Sequence, residues 1–340
     1  MKKAFIDPGN FYTKVCVFER KEDGSYCFFG RTFFPSAVSK VGAPSRSYRC
    51  YEHEGGLYQL GYDSSGIFSQ SIAKVEWDSE YSWFTAILTL KKIIFDYADE
   101  DSGIELNIVL DTQEKIETFK HVAGKFMGEP VTVRVMRGYD RPSQQVTKKV
   151  VLNFLSVGDG IYELARKVKN DFSTALIVDI GHDSSKIYIV NSRTGVEEFR
   201  IIDFGVNVYY ESIIRHLVEK RMDKFDYYWL IKQVELGFSE IEVGSHNRDV
   251  DISLIIDNIK WDLNKDFLDA VSGIVSHYYE NRVEWAQMLV ITGGGALLSG
   301  ELLQNSLMAG GYTFNDIYVE KSPMYALVEA AGYGAVSVAN

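Results

Sequence analysis

Apolar runs and polar alternation divide the chain into short buried strands and longer amphipathic stretches. Residues 4 to 18, AFIDPGNFYTKVCVF, form an apolar run, a turn opening at Asp7 and Gly9, and a second run of β-branched and aromatic residues. That is the pattern of a β-hairpin. Residues 176 to 190, LIVDIGHDSSKIYIV, repeat it from Asp7 to Asp179, half a chain further on. In both copies Asp, any residue, Gly, four further residues and Lys follow in order, so two halves of similar design are expected. Third strands are expected at Tyr26 to Phe34 and Val196 to Ile202, each after a turn with glycine.

Helical spacing of apolar residues then predicts helices over 79–98 and 206–221. Between them, Ile104 to Leu110 reads as a strand, and Asp111 with Glu114 as a capping box for a helix to about Met127. Strands are expected at 130–137 and 145–152, joined by a turn at Gly138 to Ser143, with a helix from about Gly160 to Lys169. Residues 40–75, rich in Gly, Ser and Tyr, read as an irregular insertion. The second half continues with a helix over 223–237, a strand at 239–243, a turn at Gly244 to Arg248 and a long helix over 251–282. A buried strand, Met288 to Thr292, enters Gly293-Gly294-Gly295-Ala296 and a helix from about Ser299; a strand at Asp316 to Val319 and a small-residue helix from Pro323 to Ala339 close the chain. The expected domains are 1–165, rejoined by 322–340, and 166–321.

Composition narrows the class. With 340 residues, 46% apolar and 24% charged, the chain can bury two cores, and disordered, collagen-like and small disulfide-scaffold classes are excluded. The net charge of −11 disfavours direct binding to DNA or to an anionic membrane. Cys16, Cys27 and Cys50 are odd in number and lack metal spacing, as for reduced thiols. Asp7 and Pro8 interrupt the first apolar stretch before it reaches leader length, and no run approaches a membrane span, so a cytoplasmic location is expected.

The chemistry lies in three turns. A tight turn with glycine presents backbone N–H groups suited to phosphate oxygens, and an Asp at a strand end can hold hydrated Mg²⁺. A single Asp-x-Gly turn is ordinarily only a hairpin; its repetition with Lys14 and Lys186 at the same offset makes both copies phosphate-loop candidates. The glycine run 293–295, between a strand and a helix, lets a ligand approach the backbone at a helix N-terminus.

This trio, in this order and spacing, resembles the actin, sugar-kinase and heat-shock-chaperone ATPase superfamily over the whole chain. The resemblance implies an α/β fold of two ribonuclease-H-like domains related by internal duplication, with a nucleotide in the cleft between them. It places Asp7, Gly9, Asn10 and Lys14 in a first phosphate loop, Asp179, Gly181, His182 and Ser184 in a second, and Gly293, Gly294 and Gly295 against the nucleoside. Asp7 and Asp179 would hold Mg²⁺ through water. Glu211 and Arg215, four apart on one predicted helix, would reach the ribose or base, or form a surface pair.

Within the superfamily the chain is most similar to ParM-type plasmid-segregation actins, by its length and by the segment YALVEAAGY at 325–333. The implied function is an ATPase that polymerises with ATP or GTP and moves plasmid DNA through a ParR-like DNA-binding adaptor, with no direct nucleic-acid or membrane contact. The alternatives are a non-polymerising small-molecule kinase and a nucleotide-binding scaffold of the same fold. Two departures stand out. The second loop carries His182 and Lys186 where the family has a glycine and an acid, and no Glu or Gln stands where the family orients the attacking water. Asn153, Ser156 and Asp159 are the candidates there, and slow hydrolysis is expected.

Overall fold

The computed structural model describes residues 1–43, 49–60, 75–79, 82–138, 142–219, 240–243, 248–281, 286–320 and 323–337. The helix expected over 223–237, the turn starting at Gly244 and much of the 40–75 insertion lie outside them. The chain divides into two compact units. The described residues of the first run to Gly160 and resume at Val328; those of the second run from Ile161 to Leu327.

In the first unit, strands β1 (Lys2–Pro8), β2 (Tyr12–Arg20) and β3 (Tyr26–Pro35) form an antiparallel meander. Strands β4 (Val38–Val41), β5 (Cys50–His53) and β6 (Gly56–Leu60), helix α1 (Ser82–Tyr97), strand β7 (Ile104–Leu110) and helix α2 (Gln113–Ala123) follow. Then come β8 (Val131–Met136), β9 (Gln144–Lys148), β10 (Val150–Ser156) and helix α3 (Val157–Val168), which carries the chain into the second unit. The main sheet has the order β10-β7-β1-β2-β3, with β7 and β10 parallel to β1.

The second unit repeats this plan. Strands β11 (Thr174–Ile180), β12 (Ser185–Asn191) and β13 (Gly195–Ile202) form the meander; β16 (Met288–Thr292) and β17 (Asp316–Val319) add in parallel, in the order β13-β12-β11-β16-β17. Its helices are α4 (Asn207–Glu219), α5 (Ser253–Asn281) and α6 (Ala296–Ala309), with a short hairpin of β14 (Glu240–Val243) and β15 (Arg248–Asp251) between α4 and α5. Two sheets with one strand order and one sequence of directions are the structural form of the repeat. The central strands are near-continuous apolar runs because both faces are covered: Ala175 to Val178 and Met288 to Ile291 are fully buried.

Three expectations change. The 40–75 insertion is not irregular in its described residues: β4, β5 and β6, too short for a periodicity search, join β8 and β9 in a second five-stranded sheet, β4-β6-β5-β8-β9. The strand expected at 145–152 is two strands, because the chain leaves that sheet after Lys148 and enters the main sheet at Val150. The cap of α2 is Thr112, whose side chain accepts from the Lys115 N–H, and not Asp111; the helix ends at Ala123 rather than near Met127. Asp111 instead pairs with the buried Lys115, Nζ to Oδ1 2.7 Å.

The first unit's main sheet is covered on both faces. Ala4, Ile6, Val15 and Val17 point into a core with Leu90 and Ile94 of α1 and Phe119 of α2. On the opposite face Phe5 and Phe18 meet the last helix, α7 (Ala326–Ser337), where Tyr333 packs edge-on against Phe18 at 5.0 Å and Glu329 pairs with Arg31 at 2.6 Å. Gly332 is the point of closest approach, since a Cβ there would collide with the Phe18 ring. Gly332→Leu is therefore expected to lower unfolding stability by about 1–3 kcal/mol through overpacking. Gly273→Ala, in the middle of α5 with open space around it, is expected to raise it by roughly 0.5–1 kcal/mol. Denaturant unfolding of the two variants checks the contrast.

Candidate functional site

Both hairpins are built to one design. Asp7 stands opposite Lys14 across β1 and β2, and Asp179 opposite Lys186 across β11 and β12. In the first, Lys14 Nζ donates to Asp7 Oδ2 at 2.8 Å, a half-buried ion pair in which the lysine neutralises the acid at the strand end. Each turn is closed by its glycine N–H: Gly9 donates to the Tyr12 carbonyl at 3.0 Å, and Gly181 to the Ser184 carbonyl at 3.1 Å. A Cβ on either glycine would sit 2.5 or 2.6 Å from that same carbonyl oxygen, so neither position accepts a side chain without opening the turn.

A second shared feature lies behind the turns. The residue before each lysine is a fully buried hydroxyl, Thr13 or Ser185. Each bonds the segment that follows the third strand: Thr13 Oγ1 to Ser36 Oγ at 3.0 Å, and Ser185 Oγ to the Phe204 carbonyl at 2.7 Å. That segment in turn holds turn carbonyls. Ser36 Oγ donates to the Gly9 carbonyl at 2.7 Å and its N–H to Phe11; Val206 N–H donates to Gly181, and Asn207 N–H to His182 at 2.9 Å. Sequence reasoning missed Thr13, Ser185, Ser36 and Asn207, although a hydroxyl directly before the lysine in both copies was the signal available.

In the second unit the structure brings the hairpin and the glycine-rich turn together. Thr292 stands opposite Asp179, and the next residue, Gly293, has φ +82° and packs so closely that a Cβ would meet the Asp179 carboxylate. Gly295 donates its N–H to the Ile180 carbonyl at 2.8 Å and has no room for a Cβ against Ile180 and Val206. Gly294 differs: nothing lies within 4 Å of where its Cβ would be. Two of the three glycines are thus required by packing on the hairpin, and one is set apart. His182 follows Gly181 in the hairpin turn and faces α4, its ring 5.8 Å from Tyr210 and Nδ1 3.9 Å from Asp183 Oδ1; Asn207, at the start of α4, donates to Asp183 at 3.4 Å. Glu211 and Arg215 follow on α4, both exposed.

In the first unit the candidate water-positioning residues separate. Ser156 ends β10 at the carboxyl edge of the sheet, the edge at which β1 ends beyond Asp7, and its Oγ accepts from the Gly158 N–H to cap α3. Asp159 is exposed in the first turn of α3. Asn153 lies inside the sheet, level with Asn107 and Phe5, and donates to Asn107 Oδ1 at 3.0 Å and Glu105 Oε1 at 3.2 Å. Asn10 follows Gly9, and its carbonyl accepts from the Val75 N–H at 2.9 Å. Among the described residues no group of three or more His, Cys, Asp or Glu is placed to hold a metal ion, and no helix is long and apolar enough to cross a membrane.

The turns separate two roles for glycine. Gly293→Ala is expected to destabilise the second unit by about 1–3 kcal/mol, and Gly294→Ala to leave unfolding within roughly 0.5 kcal/mol of the parent. Thermal unfolding of both variants measures this.

No family model and no curated protein matches the sequence. Solved structures do. An archaeal actin homologue, Ta0583, in complex with ADP superposes with a TM-score of 0.68 at 16% identity, over 100% of both chains. A ParM from Clostridium botulinum, solved as a 15-stranded filament, gives 0.67 at 15% identity over 98% of this chain and 99% of that one. The actin-like protein Alp7A gives 0.63 at 12% identity over 99% and 98%. The fold of this chain is accordingly actin-like, in the form shared by archaeal actin homologues and ParM proteins.

Proposed function

We propose that the protein binds and hydrolyses a nucleoside triphosphate, ATP or GTP, and polymerises in step with the nucleotide it holds. The observation that carries this reading is the twofold recurrence of one turn: an Asp at a strand end facing a Lys, a glycine that closes the turn, and a buried hydroxyl that anchors it. Glycine-closed turns of this kind suit phosphate oxygens. The glycine-rich turn against Asp179, with Gly294 open, is the corresponding surface for the nucleoside. Support for nucleotide and self-assembly also comes from the similar structures, one of which holds ADP and one of which is a filament.

The residues fit Mg²⁺ bound through water rather than directly, since Asp7 and Asp179 are single carboxylates at strand ends and not parts of a closed ligand set. When bound, the ion would neutralise charge on the β- and γ-phosphates. The chain's own work is to hold: loop amides fix the γ-phosphate, Lys14 balances charge beside Asp7, and Ser156 or Asp159 at the carboxyl edge orients water in line. A head-to-tail contact of one surface with a different one on the next copy would propagate a filament. Plasmid segregation through a ParR-like DNA-binding adaptor extends this reading, and the charge of −11 makes such an intermediary necessary if DNA is the cargo.

One observation favours a second reading, a nucleotide-binding scaffold with little turnover: Asn153 and Ser156 are both engaged in structural hydrogen bonds. Phosphate release and pelleting, each measured with ATP and GTP and no acceptor, separate the readings. Nucleotide-dependent release with polymer is expected, and Asp7→Asn or Asp179→Asn should reduce release by roughly 10²-fold or more. Nucleotide binding without release would establish the scaffold. The absence of binding, release and pelleting would refute both.

A further inference from the structure

A groove of about 390 Å³ opens on the first unit between the segment that leads into α1 and the outer face of α2. Trp77, buried at 6% exposure, lines its depth. Trp83 and His121 both line it and stack on one another, ring centroids 3.9 Å apart and planes at 20°, and Trp83 remains 43% exposed. The other ionisable lining residues are all acids, Asp78, Glu114 and Glu117, and Gln113 steadies Glu117 with a 2.9 Å hydrogen bond. None of these residues belongs to the hairpins or the glycine-rich turn, and the stack on His121 orients the indole without covering it in a groove that holds three carboxylates.

We infer that this groove is a docking site for an arginine-bearing segment of a partner protein. A guanidinium is planar, stacks on an indole face and donates in a fork that matches carboxylates, so one side chain can use both features of the groove. Charge complementarity selects this occupant over a second copy, since a chain of net charge −11 meets a like-charged groove on itself at a disadvantage. The size is that of a pocket for one or two side chains rather than of a flat oligomer interface. The inference does not depend on nucleotide binding or hydrolysis.

The test is fluorescence anisotropy of a labelled peptide of alternating Arg and Gly with the full-length protein, without nucleotide. Trp83→Ala, and the exposed pair Glu114→Gln with Glu117→Gln, are each expected to weaken binding roughly tenfold, while Glu100→Gln with Asp101→Asn leaves it unchanged. A matching Gln and Gly peptide should not bind. Thermal unfolding confirms that each variant is folded, and the glutamine pair carries the test if Trp83→Ala is not. Equal binding by groove variants and parent overturns the inference, as does equal weakening by the remote pair. Sedimentation of the chain alone supplies a further arm: an oligomer that Trp83→Ala dissociates would assign the groove to a second copy and overturn it too.

Discussion

Everything at the candidate site follows from a turn that has no room for a side chain. The first strand of each main sheet must reverse into the second within four residues, and the bond that closes the turn runs from the glycine N–H to the carbonyl three residues on. Because a Cβ would meet that carbonyl, the turn length is fixed, and with it the register of the hairpin. Register then decides the chemistry. It sets Asp7 across from Lys14 and Asp179 across from Lys186, and alternation along the strand sends the preceding hydroxyl to the opposite, buried face. From there Thr13 and Ser185 fasten the segment after the third strand, which fastens the turn in return.

The repeated hairpins, the parallel strands and the glycine-rich turn were legible because each is a local pattern of a few residues. Continuous apolar strands such as Met288 to Thr292 advertise burial on both faces, and Asp-x-Gly with a lysine at fixed offset advertises a turn and its register. In the second sheet of the first unit only β8 and β9 were legible as strands; β4, β5 and β6 and the pairing were not. Its strands are four to six residues long and its partners come from far apart in the chain, as in the pairing of Tyr51 with Val135. Nor does any local signal tell that Lys148 and Val150 belong to different sheets. At Asp111 two local rules competed: the capping-box spacing pointed to it, but Thr112 took the cap and the carboxylate found a buried lysine.

The three glycines of the run show how far spacing can carry a functional reading. As a motif they are equivalent, but in the fold two are occupied by contact with Asp179, Ile180 and Val206. A glycine-rich turn can arise from packing alone, and here packing accounts for Gly293 and Gly295. What packing leaves over, Gly294, is the position at which a ligand reading has something to explain. The same separation applies to charge. The net −11 is spread over the whole chain, but at the Trp83 groove three carboxylates stand with an exposed aromatic side chain and no lysine or arginine is among the lining residues.

On the nucleotide reading, the rate of hydrolysis turns on the end of one strand. A residue that orients water must keep an acceptor or donor uncommitted at the carboxyl edge of the sheet. Asn153 sits three residues short of that edge and already donates to two side chains; Ser156 is at the edge, but its oxygen caps a helix. The cap bond uses one of the hydroxyl's two lone pairs and leaves its proton to donate, so Ser156 can still hold a water, though as a weaker base than a carboxylate. Asp159 has the stronger chemistry but stands exposed, where solvent competes for its oxygens. Water positioned by a hydroxyl or by a solvated acid is held less firmly than by a buried one, which is the physical basis for expecting turnover that is present and slow.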